Sequence, residues 1–279
     1  MLMSSYDKHK LEGGCVVKGD CLEVLEDMDD DSVILGVTSP PYFDAVNYDE
    51  HVKKIRGETD RWERDTKMTY DEYKNFLKER FEELYRVTKE GGHTVVNLSP
   101  IHSDGRRVPL PFHFVSLMED IGWVFKEDIV WEKPIAKDRR SGVFIQHPYP
   151  GYYYPSVVAE YVFVFQKEAS NDNKNNIYWN RSEEEKKQNE VDLSDFQGEK
   201  SKNVWDIRPV PPNSNIHPAP FPVELPERII KFYSYEGDTV IDIFAGSGQT
   251  LKAAEENGRR YIGIDSKEEY TDRMIERLS

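Results

Sequence analysis

The chain has 279 residues, 38% of them hydrophobic and 12% aromatic, which is typical of a globular protein that can bury a full core. It contains no run of about 18 apolar residues and no signal-peptide pattern at its N-terminus, so we expect a cytoplasmic protein without a membrane span. Two cysteines are too few for a disulfide framework, and the sequence offers no set of zinc ligands, so we expect no metal. The formal net charge of −15 argues against a uniformly basic surface of the kind that nucleic-acid-binding proteins use.

Two short apolar segments near the N-terminus predict strands. Residues 16–20 predict a strand that ends in Asp20 and leads into a helix over residues 21–27. Residues 33–37 predict a buried strand that two prolines stop abruptly, because proline has no backbone N–H and fixes its own φ.

The corner after the second strand, Thr38-Ser39-Pro40-Pro41-Tyr42, has the composition of a binding site. In open α/β sheets, ligands bind at the carboxyl ends of the strands. The Ser39 hydroxyl and a backbone carbonyl could accept hydrogen bonds from an amino group, and Tyr42 could stack on a flat ring. The alternative is a Pro-Pro strand terminator with a packed tyrosine.

The middle of the chain alternates predicted elements with long polar segments. Residues 43–68, which include Lys53, Lys54 and Arg56, predict a loop over the corner. Aromatic residues at helical spacing predict an amphipathic helix over residues 69–89, with its aromatic stripe in the core and Gly91-Gly92 at its end. The further predicted elements are a strand at 94–98, a helix at 112–121, and strands at 123–131 and 160–166 that we expect to form an antiparallel edge of the sheet.

Two segments beyond residue 131 could contact a large ligand. Residues 132–159 mix tyrosines and prolines with the basic residues Lys133, Lys137, Arg139 and Arg140. Interleaved aromatic and basic residues suit stacking on bases and contact with phosphates, and tyrosines packed on the protein body are an equal alternative. The polar residues 168–202 predict either a disordered surface excursion or part of a recognition insert.

The C-terminal region has the pattern of a nucleoside-binding βαβ unit. Residues 240–243 predict a strand, Gly246 and Gly248 a turn, and residues 251–257 a helix that Gly258 caps. The next strand ends in Asp265, 19 residues after Gly246, about where an acid would meet ribose hydroxyls. Leu251 stands where a dinucleotide site has its third glycine, which disfavours a nicotinamide cofactor and fits S-adenosylmethionine, a nucleoside without a pyrophosphate.

Taken together, these segments resemble the β-class amino-methyltransferases of DNA. Ser39-Pro40-Pro41-Tyr42 matches the catalytic tetrapeptide of that family, and residues 242–248 match its cofactor loop. The segment His217-Pro218-Ala219-Pro220-Phe221-Pro222, with a predicted helix over residues 224–233, matches the stretch before that loop. The order, tetrapeptide first and cofactor loop last, is the signature of the class.

The resemblance implies a fold and a division of the chain. The fold is α/β, a Rossmann-like S-adenosylmethionine-dependent methyltransferase sheet with helices on both faces and a circularly permuted motif order, so the N- and C-terminal regions should lie together. Residues 1–131 would form the catalytic part of the domain and residues 213–279 its cofactor-binding part. Residues 132–212 would form a target-recognition insert that includes an edge strand near 160–166.

The resemblance also implies an activity. The protein would transfer a methyl group from S-adenosylmethionine to the exocyclic N4 amino group of cytosine in double-stranded DNA, by base flipping and direct in-line transfer. It would act as a monomer or homodimer, within or derived from a restriction-modification system with a cognate endonuclease. The catalytic residues would be Ser39, Pro40, Pro41 and Tyr42. The cofactor would be bound by Asp20, Asp242, Phe244, Gly246, Gly248, Thr250, Asp265, His217, Pro220 and Phe221, and DNA by Lys133, Lys137, Arg139, Arg140, Lys53, Lys54 and Arg56.

The choice of base depends on one residue. In the family, Ser before Pro-Pro-Tyr usually accompanies cytosine N4, and Asp or Asn usually accompanies adenine N6, so Ser39 favours cytosine. Adenine-N6 methylation of DNA and methylation of an amino group in RNA stay open as alternatives. A non-catalytic nucleic-acid-binding module would have a broken cofactor loop or would lack Tyr42, and this sequence has both features intact.

Overall fold

A computed structural model describes residues 6–41, 43, 69–103, 106–133, 150, 158–169, 177–191, 198–210 and 221–279. Its strands are β1 Asp7–Lys10, β2 Gly14–Lys18, β3 Val33–Thr38, β4 Thr88–Leu98, β5 Ile101–Ser103, β6 Arg106–Val108, β7 Trp123–Glu132, β8 Ala159–Lys167, β9 Val204–Asp206, β10 Thr239–Asp242 and β11 Arg260–Asp265. Its helices are α1 Cys21–Glu26, α2 Tyr70–Val87, α3 Leu110–Ile121, α4 Glu183–Gln188, α5 Glu224–Tyr233, α6 Gln249–Glu256 and α7 Glu268–Leu278.

Nine of the described strands form one mixed sheet in the order β1-β2-β11-β10-β3-β4-β8-β7-β9. The five central strands from β2 to β4 are parallel. Strand β2 at the start of the chain pairs with β11 near its end, and the Gly19 N–H donates to the Asp265 carbonyl at 3.0 Å. The predicted proximity of the N- and C-terminal regions is therefore confirmed, and so is the permuted order of the motifs along the chain.

The sheet continues beyond β4 with two antiparallel strands. Strand β8 pairs with β4 on one side and with β7 on the other, and the short strand β9 pairs in parallel with β7. The antiparallel pair is as predicted, but the expectation of an edge strand near 160–166 is wrong. Strand β8 is an interior strand with a buried centre, and β9, which the sequence did not reveal, lies at the edge.

Helices cover both faces of the sheet, as predicted. One core cluster joins the sheet to α1, α2 and α3, and the other joins it to α5, α6 and α7. Successive residues of β4 supply both clusters, Val96 the first and Val95 the second, because successive side chains point to opposite faces. None of the described helices is long and apolar enough to cross a membrane. Cys15 and Cys21 are both buried and free.

The end of α2 differs from the prediction. The helix begins at a capping box between Thr69 and Glu72 but ends at Val87, and β4 follows directly. Gly91 and Gly92 therefore lie within the strand instead of terminating the helix. A Cβ on Gly92 would lie 2.7 Å from the Ile34 carbonyl oxygen, so glycine is needed here because the two backbones approach closely.

Candidate active site

The polar residues of the predicted motifs meet at one edge of the sheet. Four parallel strands, β2, β11, β10 and β3, end there in that spatial order. Asp20 lies just after β2, and Asp265 is the last residue of β11. The glycine loop follows Asp242 at the end of β10, and Ser39 follows β3. This edge is where open α/β sheets bind ligands.

The corner at Ser39 is held by two hydrogen bonds. The Ser39 hydroxyl donates to the Asn97 backbone carbonyl at 3.1 Å, which leaves lone pairs of the serine oxygen as acceptors. The Tyr73 hydroxyl donates to the Pro41 carbonyl at 2.8 Å from a side chain that is 3% exposed. Tyr42 lies outside the described residues, so its stacking role stays a prediction.

A buried carboxylate joins this corner to the loop after β10. The Thr38 hydroxyl donates to Asp242 Oδ1 at 2.7 Å, and the Thr250 hydroxyl donates to Oδ2 at 2.7 Å. The Phe244 N–H adds a third hydrogen bond at 3.1 Å. This bond joins residues 204 positions apart, and it ties the strand end before the tetrapeptide to the strand end before the glycine loop.

Asp242 and Thr250 support the loop from beneath. Each is 1% exposed, so neither presents a surface to a ligand, and the predicted cofactor contact becomes an indirect one through the shape of the loop. Burial raises the pKa of Asp242 to about 6, against the hydrogen bonds from Thr38 and Thr250, which favour the ionised form.

The loop itself is shaped by its glycines. Gly246 has φ +51° and Gly248 has φ +76°, conformations that a side chain would strain. A Cβ on Gly248 would also lie 2.8 Å from Met274 Cγ. The glycines therefore give the loop its turn and leave room for α7, and the loop itself follows β10 at the edge of the sheet where ligands bind.

Asp265 connects this loop to the next strand. Its Oδ2 accepts from the Gly246 N–H at 2.9 Å, and its Oδ1 accepts from the Lys267 N–H at 3.0 Å. Burial raises the pKa of Asp265, and these backbone donors oppose that change. A carboxylate fixed between the loop and β11 fits the hydroxyl groups of a ribose, because its oxygens have lone pairs beyond the two that are used.

Helix α2 adds a wall that the sequence reasoning missed. The Phe76 ring stacks near the Phe244 ring at 6.2 Å between centroids, and the Arg80 guanidinium lies 3.6 Å from the centre of the Phe76 ring. Arg80 Nη2 in turn donates to both oxygens of Asp20. The aromatic stripe of α2 lies in or against the core, as predicted, and the half-buried Phe76 packs against that core beside Phe244 of the loop.

Other predicted site residues have less direct positions. Phe221 is half-buried and packs against the core cluster of α5, α6 and α7, while His217 and Pro220 lie outside the described residues. Lys133 forms an ion pair with Glu160 and lies 4.3 Å from the Trp131 ring centre, so a phosphate contact would have to compete with that pair. The remaining predicted DNA-binding residues also lie outside the described part of the chain: Lys53, Lys54, Arg56, Lys137, Arg139 and Arg140.

The described residues contain no cluster of three or more side chains that could hold a metal ion. The carboxylate and hydroxyl oxygens at the sheet edge are instead suited to accept hydrogen bonds from hydroxyl and amino groups. This set of acceptors fits the nucleoside part of S-adenosylmethionine.

Comparison with known proteins gives the family of the chain. Residues 33–277 match the family model N6_N4_Mtase, described as DNA methylase. The chain is 30% identical over 274 residues to orphan methyltransferase M.BamHII of Bacillus amyloliquefaciens, with 91% of each protein covered, and 27% identical over 305 residues to type II methyltransferase M.Cfr9I of Citrobacter freundii, with 96% and 89% covered. Its structure matches that of a DNA modification methylase from Thermus thermophilus, TTHA0409, complexed with S-adenosyl-L-methionine, at a TM-score of 0.68 and 26% identity, over 94% of this chain and 92% of that one. The chain therefore belongs to the N6/N4 DNA methylase family and is a DNA methyltransferase that uses S-adenosylmethionine.

Proposed function

We propose that the protein methylates the exocyclic N4 amino group of cytosine at specific sites in double-stranded DNA. The observation that carries the proposal is the orientation of Ser39 at the corner. Its hydroxyl hydrogen is directed to the Asn97 carbonyl, so its oxygen is an acceptor at the mouth of the site. In the resembled family, serine at this place usually accompanies cytosine N4.

The reacting amine needs acceptors because its lone pair is delocalised into the ring. Ser39 Oγ would accept from one amino hydrogen and favour the rehybridised nitrogen that can attack a methyl group. The Pro40 carbonyl is the candidate for the second acceptor, and the Tyr73 hydroxyl holds the next carbonyl of the corner, that of Pro41. A serine hydroxyl is a weak base at neutral pH, so Ser39 positions the amine and does not deprotonate it. As the N–CH3 bond forms, the S–CH3 bond of the cofactor would break and leave S-adenosylhomocysteine, and the extra proton of the methylated amine would be lost to water after the transfer.

The same framework would fix the distance between base and methyl donor. S-adenosylmethionine supplies the reactive sulfonium methyl group. Asp265 would accept from ribose hydroxyls, Asp20 from the amino group of adenine, and the Gly246 backbone would allow close approach. Because Thr38 binds Asp242, the acceptor corner and this loop are held as one unit, and proximity of this kind lowers a barrier substantially.

The target cytosine must leave the duplex to reach the corner, at a cost of a few kcal/mol. Tyr42 would stack on the extruded base, and the basic residues 53–56 and 133–140 would contact phosphates. M.Cfr9I carries a type II name and M.BamHII an orphan one, so the proposal includes either a restriction-modification system or an enzyme derived from one.

The test is to identify the modified nucleoside. The purified protein is incubated with isotope-labelled S-adenosylmethionine and, in separate reactions, with double-stranded DNA or with RNA of mixed sequence, and the nucleosides of each digest are identified by mass spectrometry. The expected product is labelled N4-methyl-2′-deoxycytidine. Labelled N6-methyl-2′-deoxyadenosine would overturn the choice of base. More label incorporated into RNA than into DNA would overturn the choice of polymer.

A further inference from the structure

We propose that Arg80 is a positioning residue that gives the cofactor site its preference for an adenine ring, by fixing the carboxylate of Asp20. This inference rests on the proposed function, in which Asp20 accepts from the amino group of adenine. Arg80 lies on α2, far from every sequence motif of the site.

The contacts of Asp20 leave one part of its carboxylate for a ligand. Oδ1 accepts from the Leu22 N–H at 2.8 Å as the N-cap of α1. Arg80 Nη2 donates to Oδ1 at 2.8 Å and to Oδ2 at 2.6 Å. The Asp20 side chain is still 45% exposed, so Oδ2 can accept one more hydrogen bond on its exposed side. The carboxylate is thus held in one orientation with an open acceptor.

Arg80 is built into the protein as a buried cation. Its side chain is 8% exposed, its Nη1 donates to the Phe76 carbonyl at 3.1 Å, and its guanidinium covers the Phe76 ring. A buried charge is costly unless it is paired, and Asp20 is the near partner of Arg80, since the Glu79 carboxylate lies farther away, at 3.9 Å from Nη1. Phe76 also contacts Phe244, so the row Phe244, Phe76, Arg80 and Asp20 runs from the glycine loop to the end of β2.

A second arginine on the same helix provides a matched control. Arg86 also ties α2 to the α1 region, but it does so at the other end of α1, where it donates to the Leu25 and Met28 carbonyls at 2.6 and 2.9 Å. It has no contact with Asp20 among the bonds described for the two residues. Loss of Arg86 should therefore weaken the packing of α1 on α2 without releasing the carboxylate.

The experiment measures selectivity between two non-reactive ligands by calorimetry. S-adenosyl-L-homocysteine carries the adenine amino group, and S-inosyl-L-homocysteine has a carbonyl oxygen in its place, which would face the carboxylate. We expect the wild-type protein to prefer the adenosyl ligand by about tenfold or more, the size of one hydrogen bond to a charged acceptor. D20N should abolish or reverse the preference, R80M should reduce it to about threefold or less, and R86M should keep it at the wild-type value.

Thermal melting without ligand separates selectivity from stability, because R80M and R86M should both lower the melting temperature and only R80M should lower selectivity. R80K is the second variant, since a lysine ammonium offers a point charge in place of the planar fork. We expect the selectivity of R80K to lie between that of R80M and that of the wild-type protein. If R80M does not fold, R80K decides the question, and full wild-type selectivity in R80K would overturn the inference.

The outcomes also separate this inference from the proposal beneath it. If R80M keeps the full preference while D20N loses it, the role of Arg80 is wrong and the role of Asp20 stands. Equal binding of both ligands by the wild-type protein would overturn both roles. A wild-type protein that binds neither ligand would overturn the proposed cofactor site itself, and the inference with it.

Discussion

Thr38 joins the serine corner to the cofactor loop, and replacing it with valine tests that joint. Valine has nearly the shape of threonine but no hydroxyl, so T38V removes the 2.7 Å hydrogen bond to Asp242 with little change in packing. Thr38 is 2% exposed, so water cannot take the place of the lost hydroxyl. Asp242 keeps its bonds from Thr250 and from the Phe244 N–H.

The size of the effect follows from the charge on the acceptor. A hydrogen bond to an ionised group contributes about 1.5–3 kcal/mol, so T38V should lower the free energy of unfolding by that amount at pH 8. For a chain of this length that corresponds to about 2–4 °C in melting temperature for each kcal/mol. The Thr38 bond favours the ionised form of Asp242, whose pKa is about 6, so the loss should be smaller at pH 5, where the carboxyl is mostly protonated.

The assay is urea unfolding at pH 8 and at pH 5, with S-adenosyl-L-homocysteine affinity measured in parallel. The matched control is T94V on the neighbouring strand, where Gly36 of β3 pairs with Thr94 of β4. Thr94 is fully buried, and its hydroxyl has no hydrogen-bond partner among the described residues. T94V should therefore be neutral or stabilising, because it removes an unsatisfied polar group.

Equal losses of stability in T38V and T94V would refute the reasoning, since the effect would then belong to any buried threonine of the sheet. A T38V protein with unchanged stability at pH 8 would refute it as well. We also expect T38V to weaken ligand binding and T94V to leave it unchanged, because only Thr38 touches the carboxylate that shapes the loop.

Three further predictions concern the same edge of the sheet. S39A should lower the rate of methyl transfer by about 100-fold, as loss of one oriented polar contact at a reacting group does, and should leave cofactor affinity unchanged. Full activity of S39A in a labelled-methyl assay would contradict the positioning role. Asp242 should titrate near pH 6 by carboxyl carbon NMR, and T250V should move its pKa higher. The contribution of Asp242 to stability should fall as pH rises from about 4 to 6, because the folded state binds this proton more tightly than the unfolded state. G248A should lose about 1–2 kcal/mol of stability and bind cofactor more weakly, because φ is +76° at this position and the added Cβ would clash with Met274. An unchanged melting temperature and cofactor affinity would show that the loop tolerates a side chain.

The local elements of the site could be read from the sequence because each has its own signal. The apolar runs of β3, β10 and β11 and the amphipathic period of α2 lie where they were predicted, with shifts of at most two residues at their ends. Helix α5 has the predicted bounds, Glu224–Tyr233. Strand β1, strand β9 and helix α7 were not predicted, since β1 and β9 are three or four residues long and α7 is strongly charged.

The motifs could likewise be recognised from the sequence, because proline and glycine act through backbone geometry that needs no partner elsewhere. Which side chains support those motifs was decided only by the tertiary structure. Tyr73 and Arg80 reach the site from α2, and Asn97 reaches it from β4. The spacing of residues along the chain does not show which hydroxyl or guanidinium group is directed toward the site. The partner of Lys133 also depends on the tertiary structure. Its charge suggested a phosphate contact, but the pairing of β7 with β8 places Glu160 beside it, and the two side chains form an ion pair. Contacts between residues distant in sequence depend on how the strands are ordered in the sheet, and that order is a property of the whole packed chain.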